Sequence, residues 1–290
     1  DVIGFGEVML RLSPPNKERI SQGEVFEKRA GGSEFNVVSG ISMLGLRTGI
    51  ITKLPDNEIG KFIKNKIRFH GVSDDYVIYD QSECKRLGIY YFEGGAFPRK
   101  PTVVYDRSGS SFTTISADEI DSSVYSSSKI FHVSGISLAL GVNVRETVID
   151  MIKKFKKHGA AISLDVNYRA TLWDEETARK VITSIFPDVD ILFVSEETSR
   201  RMLQRTVTLE DIMKGFARDY GIKIIATTER KAKSPTKHTW DSRIYNALEG
   251  KFYKEDPYID IEVVDRIGSG DAYVAVVLFG IVKFNCLQKA

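Results

Sequence analysis

Cysteine is nearly absent. The 290 residues hold only Cys84 and Cys286, far apart and without metal-type spacing. That excludes a disulfide framework and fits a reducing, cytoplasmic setting. An excess of charge of one sign is lacking too: 41 Lys+Arg against 39 Asp+Glu leave a net charge of +2. Such a balance gives no reason to expect nucleic acid or an acidic membrane surface as a partner. No long hydrophobic run occurs. The longest, 272–282, is well short of the roughly 20 residues of a membrane span. No secretory leader is visible, and the chain opens on Asp1 rather than Met, so residues are expected to precede it. The four histidines, His70, His132, His158 and His238, form no ligand cluster and read as surface or structural residues. No internal repeat or low-complexity segment breaks the chain. What is present, 42% hydrophobic and 28% charged residues, is ordinary for a soluble globular protein and ample for a sizeable core.

Taken in order, Val2 to Leu12 reads as one strand or long β-ribbon, broken by Pro14-Pro15-Asn16. Ala30-Gly31-Gly32-Ser33-Glu34-Phe35-Asn36 precedes a helix over 37–44. Ser33 is placed to cap that helix. The glycines would also let a ligand approach the backbone, with Asn36 supplying donor and acceptor. A strand over 48–54 and an amphipathic helix over 58–70 begin a strand–helix alternation that favours a parallel sheet. The stretch 85–106 departs from it and reads as a β-hairpin around Gly94-Gly95, carrying Tyr90, Tyr105 and, just beyond, Arg107. A strand over 129–133, a helix over 144–158 and a strand over 160–164 follow. The last ends in Asp165-Val166-Asn167-Tyr168-Arg169, where alternation along an extended end would put Asp165, Asn167 and Arg169 on one side. Strand ends of this kind are where α/β folds place ligands, although a polar loop with local hydrogen bonds fits the same letters. A helix over 174–185 and strands over 190–194 and 222–226 lead to Thr227-Thr228-Glu229-Arg230 and a basic, loop-like 231–237.

Near the end, Val263 to Tyr273 reads as a strand end, a Gly-x-Gly turn and a helix opening on an acid. Gly268, Ser269 and Gly270 leave backbone N–H groups bare beside a helix N-terminus, a pocket for an anion such as phosphate. Asp271 at its lip is either a helix cap or a base that takes a proton from a hydroxyl attacking a phosphoryl group.

Asp265 to Asp271 resembles the D-T-x-G-A-G-D signature of the ribokinase-like (PfkB) carbohydrate kinases, with Arg266 for threonine and Ser269 for alanine. The Asp-Arg-x-Gly variant and Thr-Thr-x-Arg at 227–230 resemble one branch, the 2-keto-3-deoxygluconate kinases. The resemblance runs from Gly4 to Leu287. It implies that Gly268, Ser269 and Gly270 form the anion hole and that Asp271 is the catalytic base. It implies sugar contacts from Gly32 and Asn36, a match to G-G-x-x-x-N. Further substrate contacts are implied for Tyr90, Tyr105 and Arg107 on an inserted lid, and for Asp165, Asn167 and Arg169. Thr227, Thr228 and Arg230 are implied beside the nucleotide, with Gly268 and Gly270. The family's Asn-x-x-Glu is replaced by Ser195 and Thr198, so that carry-over fails and the metal ligands stay unassigned. Relatives continue past the last helix to close the adenine pocket, so the C-terminal end is expected to be incomplete.

The expected architecture is therefore α/β: one three-layer α/β/α ribokinase-like domain over 1–290, a mostly parallel sheet, and a small β-sheet lid from about 8–30 and 85–110. The implied activity is ATP- and Mg²⁺-dependent phosphorylation of 2-keto-3-deoxygluconate by a cytoplasmic homo-oligomer, a dimer through the lid or higher. A kinase of fructose, ribose or a nucleoside, and a sugar-binding regulator without chemistry, are the rivals. Arg107 and Arg169 speak for an acidic substrate.

Overall fold

The computed structural model describes residues 1–234 and 236–289. The expected N-terminal ribbon is two strands in two different sheets. β1 (Val2–Phe5) is buried along its whole length, as a strand covered on both faces is. At Gly6 a Cβ would lie 2.3 Å from the Glu34 carboxylate, and here the chain leaves the main sheet. β2 (Met9–Ser13) pairs antiparallel with β3 (Glu27–Gly31). α1 (Ser33–Met43) starts earlier than the expected residue 37. β4 (Thr48–Pro55) and α2 (Glu58–Phe69) follow as expected, with Asn57 accepting from the amides of Ile59 and Gly60. After β5 (Val72–Ser73) and β6 (Val77–Asp80) come β7 (Ile89–Glu93) and β8 (Thr102–Asp106), the expected hairpin. Its connection is not a Gly94-Gly95 turn. It runs through 94–101, closes on a backbone bridge between Ala96 and Arg99, and is tied back by Arg99 to Glu93 at 3.3 Å.

The next part repeats strand and helix. β9 (Ile130–Ser134) leads to α3 (Gly135–Ala139) and α4 (Val142–Lys157), and β10 (Ala161–Asp165) to α5 (Glu175–Ile185). β11 (Ile191–Phe193) leads to α6 (Glu196–Arg201) and α7 (Leu209–Tyr220). The basic stretch 231–237 is not the loop expected. It is the far end of a long antiparallel hairpin, β12 (Ile224–Ser234) with β13 (Lys237–Asn246); Pro235 lies outside the described residues. Both faces of that end are largely exposed, so no apolar alternation marks it as a strand. β14 (Lys251–Lys254) and β15 (Tyr258–Glu262) extend it, and α8 (Ser269–Phe284) follows.

The main sheet runs β14-β13-β12-β11-β10-β9-β1-β4-β5, parallel from β12 to β5. The small sheet runs β3-β2-β7-β8. Successive strand residues face opposite layers. Val2, Ile50 and Ile130 pack with Val37, Ile63 and Leu278 of α1, α2 and α8. Ile3, Ile51 and Phe131 pack with Phe155, Ile182 and Phe216 of α4, α5 and α7. β1 has β4 on one side and β9 on the other, a reversal of strand order whose carboxyl edge is the preferred ligand position in open α/β sheets.

α1 crosses α8 at Gly40, where a Cβ would lie 2.9 Å from the Cβ of Ala275. This close crossing sets the N-terminal turns of the two helices side by side. Gly40→Val must separate them and is expected to cost about 1–3 kcal/mol, read as a lower urea midpoint. An unchanged midpoint would show that the crossing has slack.

Candidate active site

A cavity of about 700 Å³ opens at the carboxyl edge of β1 and β10, beneath the small sheet. Its lining brings together Gly32, Asn36, Tyr90, Tyr105, Arg107, Asp165, Asn167, Arg169, Arg230, Gly268, Ser269, Gly270 and Asp271. Thr227 and Thr228 are not in it. They lie on β12, with the Thr227 hydroxyl buried and without a hydrogen-bond partner among the described residues.

Asp271 does not cap α8. The N-cap is Gly268, whose φ of 82° favours glycine, and no side chain caps the helix. The Asp271 carboxyl instead turns to α1: Ser33 Oγ donates to Oδ1 at 2.8 Å and Asn36 Nδ2 to Oδ2 at 2.7 Å. Ser33 likewise is not the cap of α1. That position is Gly32, where the Glu7 carbonyl lies 2.3 Å from where a Cβ would stand. At the head of α8 the amides of Gly270 and Asp271 find no acceptor among the described residues. Ser269 turns inward, its amide and hydroxyl reaching the Arg266 carbonyl at 3.5 and 3.1 Å. The Gly268 amide likewise finds no acceptor among the described residues, so 268, 270 and 271 are open and, of the expected 268–270, only that of Ser269 is drawn away.

Burial pushes the Asp271 carboxyl up, against the donors Asn36 and Ser33 and the charge of Arg169. Asp165 is pushed up to about 7 by burial and then by the charge of Asp271, with Arg169 opposing. The strand end does not continue extended. Asn167 has a φ of 37°, a left-handed conformation that asparagine tolerates. Its amide donates to Asp165 Oδ1 at 3.1 Å and its Nδ2 to Ser33 Oγ at 2.8 Å. The three polar residues share the cavity because of this turn, not because of strand alternation.

Several residues in and around the cavity were not singled out by the sequence. Glu34 is buried and accepts from Ser134 N, Ser134 Oγ and Ser137 Oγ, and burial raises its pKa. Glu7, also buried, pairs with Arg107 Nε at 2.9 Å and with its Nη2. Arg11 of β2 pairs with Asp265 at 2.8 Å and lies 4.4 Å from the Phe92 ring centroid, while Ile267 packs against Met9, Tyr90 and Phe92. The local signal for Glu7 was an acid set in apolar sequence; Glu34, between Ser33 and Phe35, carried no such signal. Arg169, Arg230 and Arg266 all line the cavity and have no ion pair among the described residues. Burial, then the charges of Arg230 and Arg169, hold the Arg266 guanidinium below its ordinary value. No group of three His, Cys, Asp or Glu able to hold a metal occurs among the described residues. Ser195 accepts from the Thr198 amide at 3.1 Å and caps α6.

The profile of pfkB family carbohydrate kinases matches residues 1–290. The chain belongs to that family. A 2-dehydro-3-deoxygalactonokinase from Haloferax volcanii is 33% identical over 290 residues, spanning 100% of this chain and 87% of that one. A 5-dehydro-2-deoxygluconokinase from Clostridium perfringens is 27% identical over 288 residues, spanning 98% and 81%. The crystal structure of 2-dehydro-3-deoxygluconokinase from Thermotoga maritima superposes with a TM-score of 0.94 at 33% identity, spanning 100% of this chain and 88% of that one. This pfkB chain is thus a phosphotransferase and a sugar kinase, and the expected fold, a three-layer α/β/α domain with a small separate sheet, stands. No helix among the described residues is long and apolar enough to cross a membrane.

The raised Asp165 has a consequence for the stability of the kinase. A carboxyl whose folded pKa lies above its unfolded value gives stability below about pH 4 that is lost as pH rises through about 7. Asp165→Asn is therefore expected to raise the urea midpoint at pH 8 and leave it nearly unchanged at pH 4. Equal shifts at both pH values would mean that Asp165 is not forced to ionise in the fold.

Proposed function

We propose that this kinase transfers the γ-phosphoryl group of ATP to the primary hydroxyl of 2-keto-3-deoxygluconate, giving the 6-phosphate. The observation that carries the reading is the cluster of three unpaired arginines, Arg169, Arg230 and Arg266, in one cavity with Asp271 and the open amides of α8. A triphosphate and a sugar carboxylate are the anions such a cluster suits. The names of the Haloferax and Thermotoga relatives point to the same class of sugar acid.

In this reading Asp271 takes the proton of the hydroxyl as its oxygen attacks the γ-phosphorus. The bond from that phosphorus to the bridging oxygen breaks and ADP leaves. The open amides of 268, 270 and 271 hold the charge that develops on the phosphoryl oxygens. Arg169 takes the sugar carboxylate, and Arg230 and Arg266 face the phosphates. Gly32 and Asn36 border the sugar with Tyr90 and Tyr105. Arg107, two of whose nitrogens are spent on Glu7, keeps Nη1 for it. Thr227 and Thr228 border the nucleotide from β12. The described residues do not fit a protein-built magnesium cage; magnesium comes with ATP and offsets its charge. Two copies would join in the cytoplasm through β3 or β8, the edge strands of the lid, which light scattering checks.

ADP release across a panel of 2-keto-3-deoxygluconate, 2-keto-3-deoxygalactonate, fructose and ribose tests the assignment. Asp271→Asn is expected to lose about 10²–10⁴ in turnover. Arg169→Leu is expected to lose roughly ten- to a hundredfold in kcat/KM on the sugar acids while sparing neutral sugars. A wild-type preference for fructose would overturn the sugar-acid reading, and equal losses on both substrate types would make Arg169 structural.

A further inference from the structure

We propose that Ser33 is a positioning residue for phosphoryl transfer: oriented by Asn167, its hydroxyl fixes the carboxylate of Asp271 in the rotamer that receives the proton. The proposal rests on the reading of Asp271 as base and adds to it Ser33, a variable position within the G-G-x-x-x-N match.

The chemistry of the donors gives the direction of the chain. An amide nitrogen can only donate, so Asn167 Nδ2, 2.8 Å from Ser33 Oγ, must give its proton to the serine oxygen. The serine proton is then left for its other neighbour, Asp271 Oδ1 at 2.8 Å. Asn36 Nδ2 holds Oδ2 at 2.7 Å. Each carboxylate oxygen thus spends one acceptor position on α1 and keeps one for substrate. The left-handed turn at Asn167 brings its side chain within reach of Ser33. Without Ser33, Oδ1 would have no side-chain donor and the carboxylate could rotate about its remaining bond to Asn36.

The other charged or titratable groups that face this carboxylate are Asp165 and Arg169 from the end of β10, Tyr90 from the lid, Arg266 from its own turn, and Glu34 of α1 behind Asp165. None of them hydrogen-bonds Ser33 among the described residues. Removing the hydroxyl removes a donor that lowers the Asp271 pKa. The acid limb of kcat/KM therefore moves to higher pH.

The test compares Ser33→Ala, Ser33→Thr and Asp271→Asn in kcat, sugar KM and the pH profile, with urea midpoints as the check on folding. Ser33→Ala is expected to lower kcat roughly ten- to a hundredfold with little change in KM, and to move the acid limb to higher pH. Ser33→Thr, which keeps the hydroxyl, should recover most of both. Wild-type kcat and pH profile in Ser33→Ala, beside an inactive Asp271→Asn, would overturn this inference alone. So would a Ser33→Thr as impaired as the alanine variant. Turnover retained in Asp271→Asn would remove the base itself and this inference with it.

Discussion

A carboxyl taken out of water must be met by donors, and the Asp271 carboxyl is met by residues 238 and 235 positions away in the chain. That requirement ties the first helix of the protein to the last. It explains why the crossing of α1 and α8 is tight enough to demand Gly40 opposite Ala275. It also explains why α1 opens on a glycine rather than on a capping serine. With Gly32 under the Glu7 carbonyl, Ser33 is free to face outward from its own helix and serve another. The head of α8 is left uncapped by any side chain. Its amides stay open because the acid that a helix of this kind would use for itself is held elsewhere.

The small sheet is bound to this arrangement by charge as well as by apolar contact. Arg11 on β2 reaches Asp265, the first residue of the turn that presents α8, and Ile267 of the same turn packs under Tyr90 and Phe92. On the other side Arg107, just past β8 and half-buried, pairs with the buried Glu7, just past β1. A buried pair of this kind is weak evidence of stability, but losing one partner strands the other. The two pairs thus fix the position of the small sheet over the cavity, and any displacement of it is felt at the turn before α8 through Asp265.

The alternation of strands and helices was legible because each buried strand is a short apolar run bounded by turn residues. The motif at Asp265–Asp271 was legible through its resemblance to a family signature, since a glycine turn before an apolar helix left a cap and a base equally open for Asp271. What escaped were the features that depend on distant partners. Nothing local to Ser33 says that its hydroxyl will face Asp271 rather than its own helix. Nothing local to Arg107 says that Glu7 will take its charge. The turn at Asn167 hides in letters that alternate like a strand. The arm at 231–237 reads as a loop because a ladder of exposed backbone pairs needs no apolar pattern to form. Strand residues that face both layers announce themselves; polar residues that pair across the chain do not.

The electrostatics of the cavity pose a problem that its arginines answer. A base beside a triphosphate loses acidity as the phosphates approach, because each added negative charge raises its pKa. Asp271 and Asp165 already stand above their ordinary values through burial and, for Asp165, through the charge of its neighbour. In the proposed reaction, further upward pressure would protonate Asp271 before the hydroxyl arrives. Arg169 is the cation that acts on both acids. Arg230 and Arg266 stand in the same cavity with no ion pair among the described residues. Bound phosphates would relieve the mutual repulsion of the three guanidiniums, and the guanidiniums would cancel much of the phosphates' effect on the acids. In the proposed reaction the cluster therefore keeps Asp271 ionised as well as holding the substrate anions. A raised but still ionised carboxylate is a stronger proton acceptor than an exposed one.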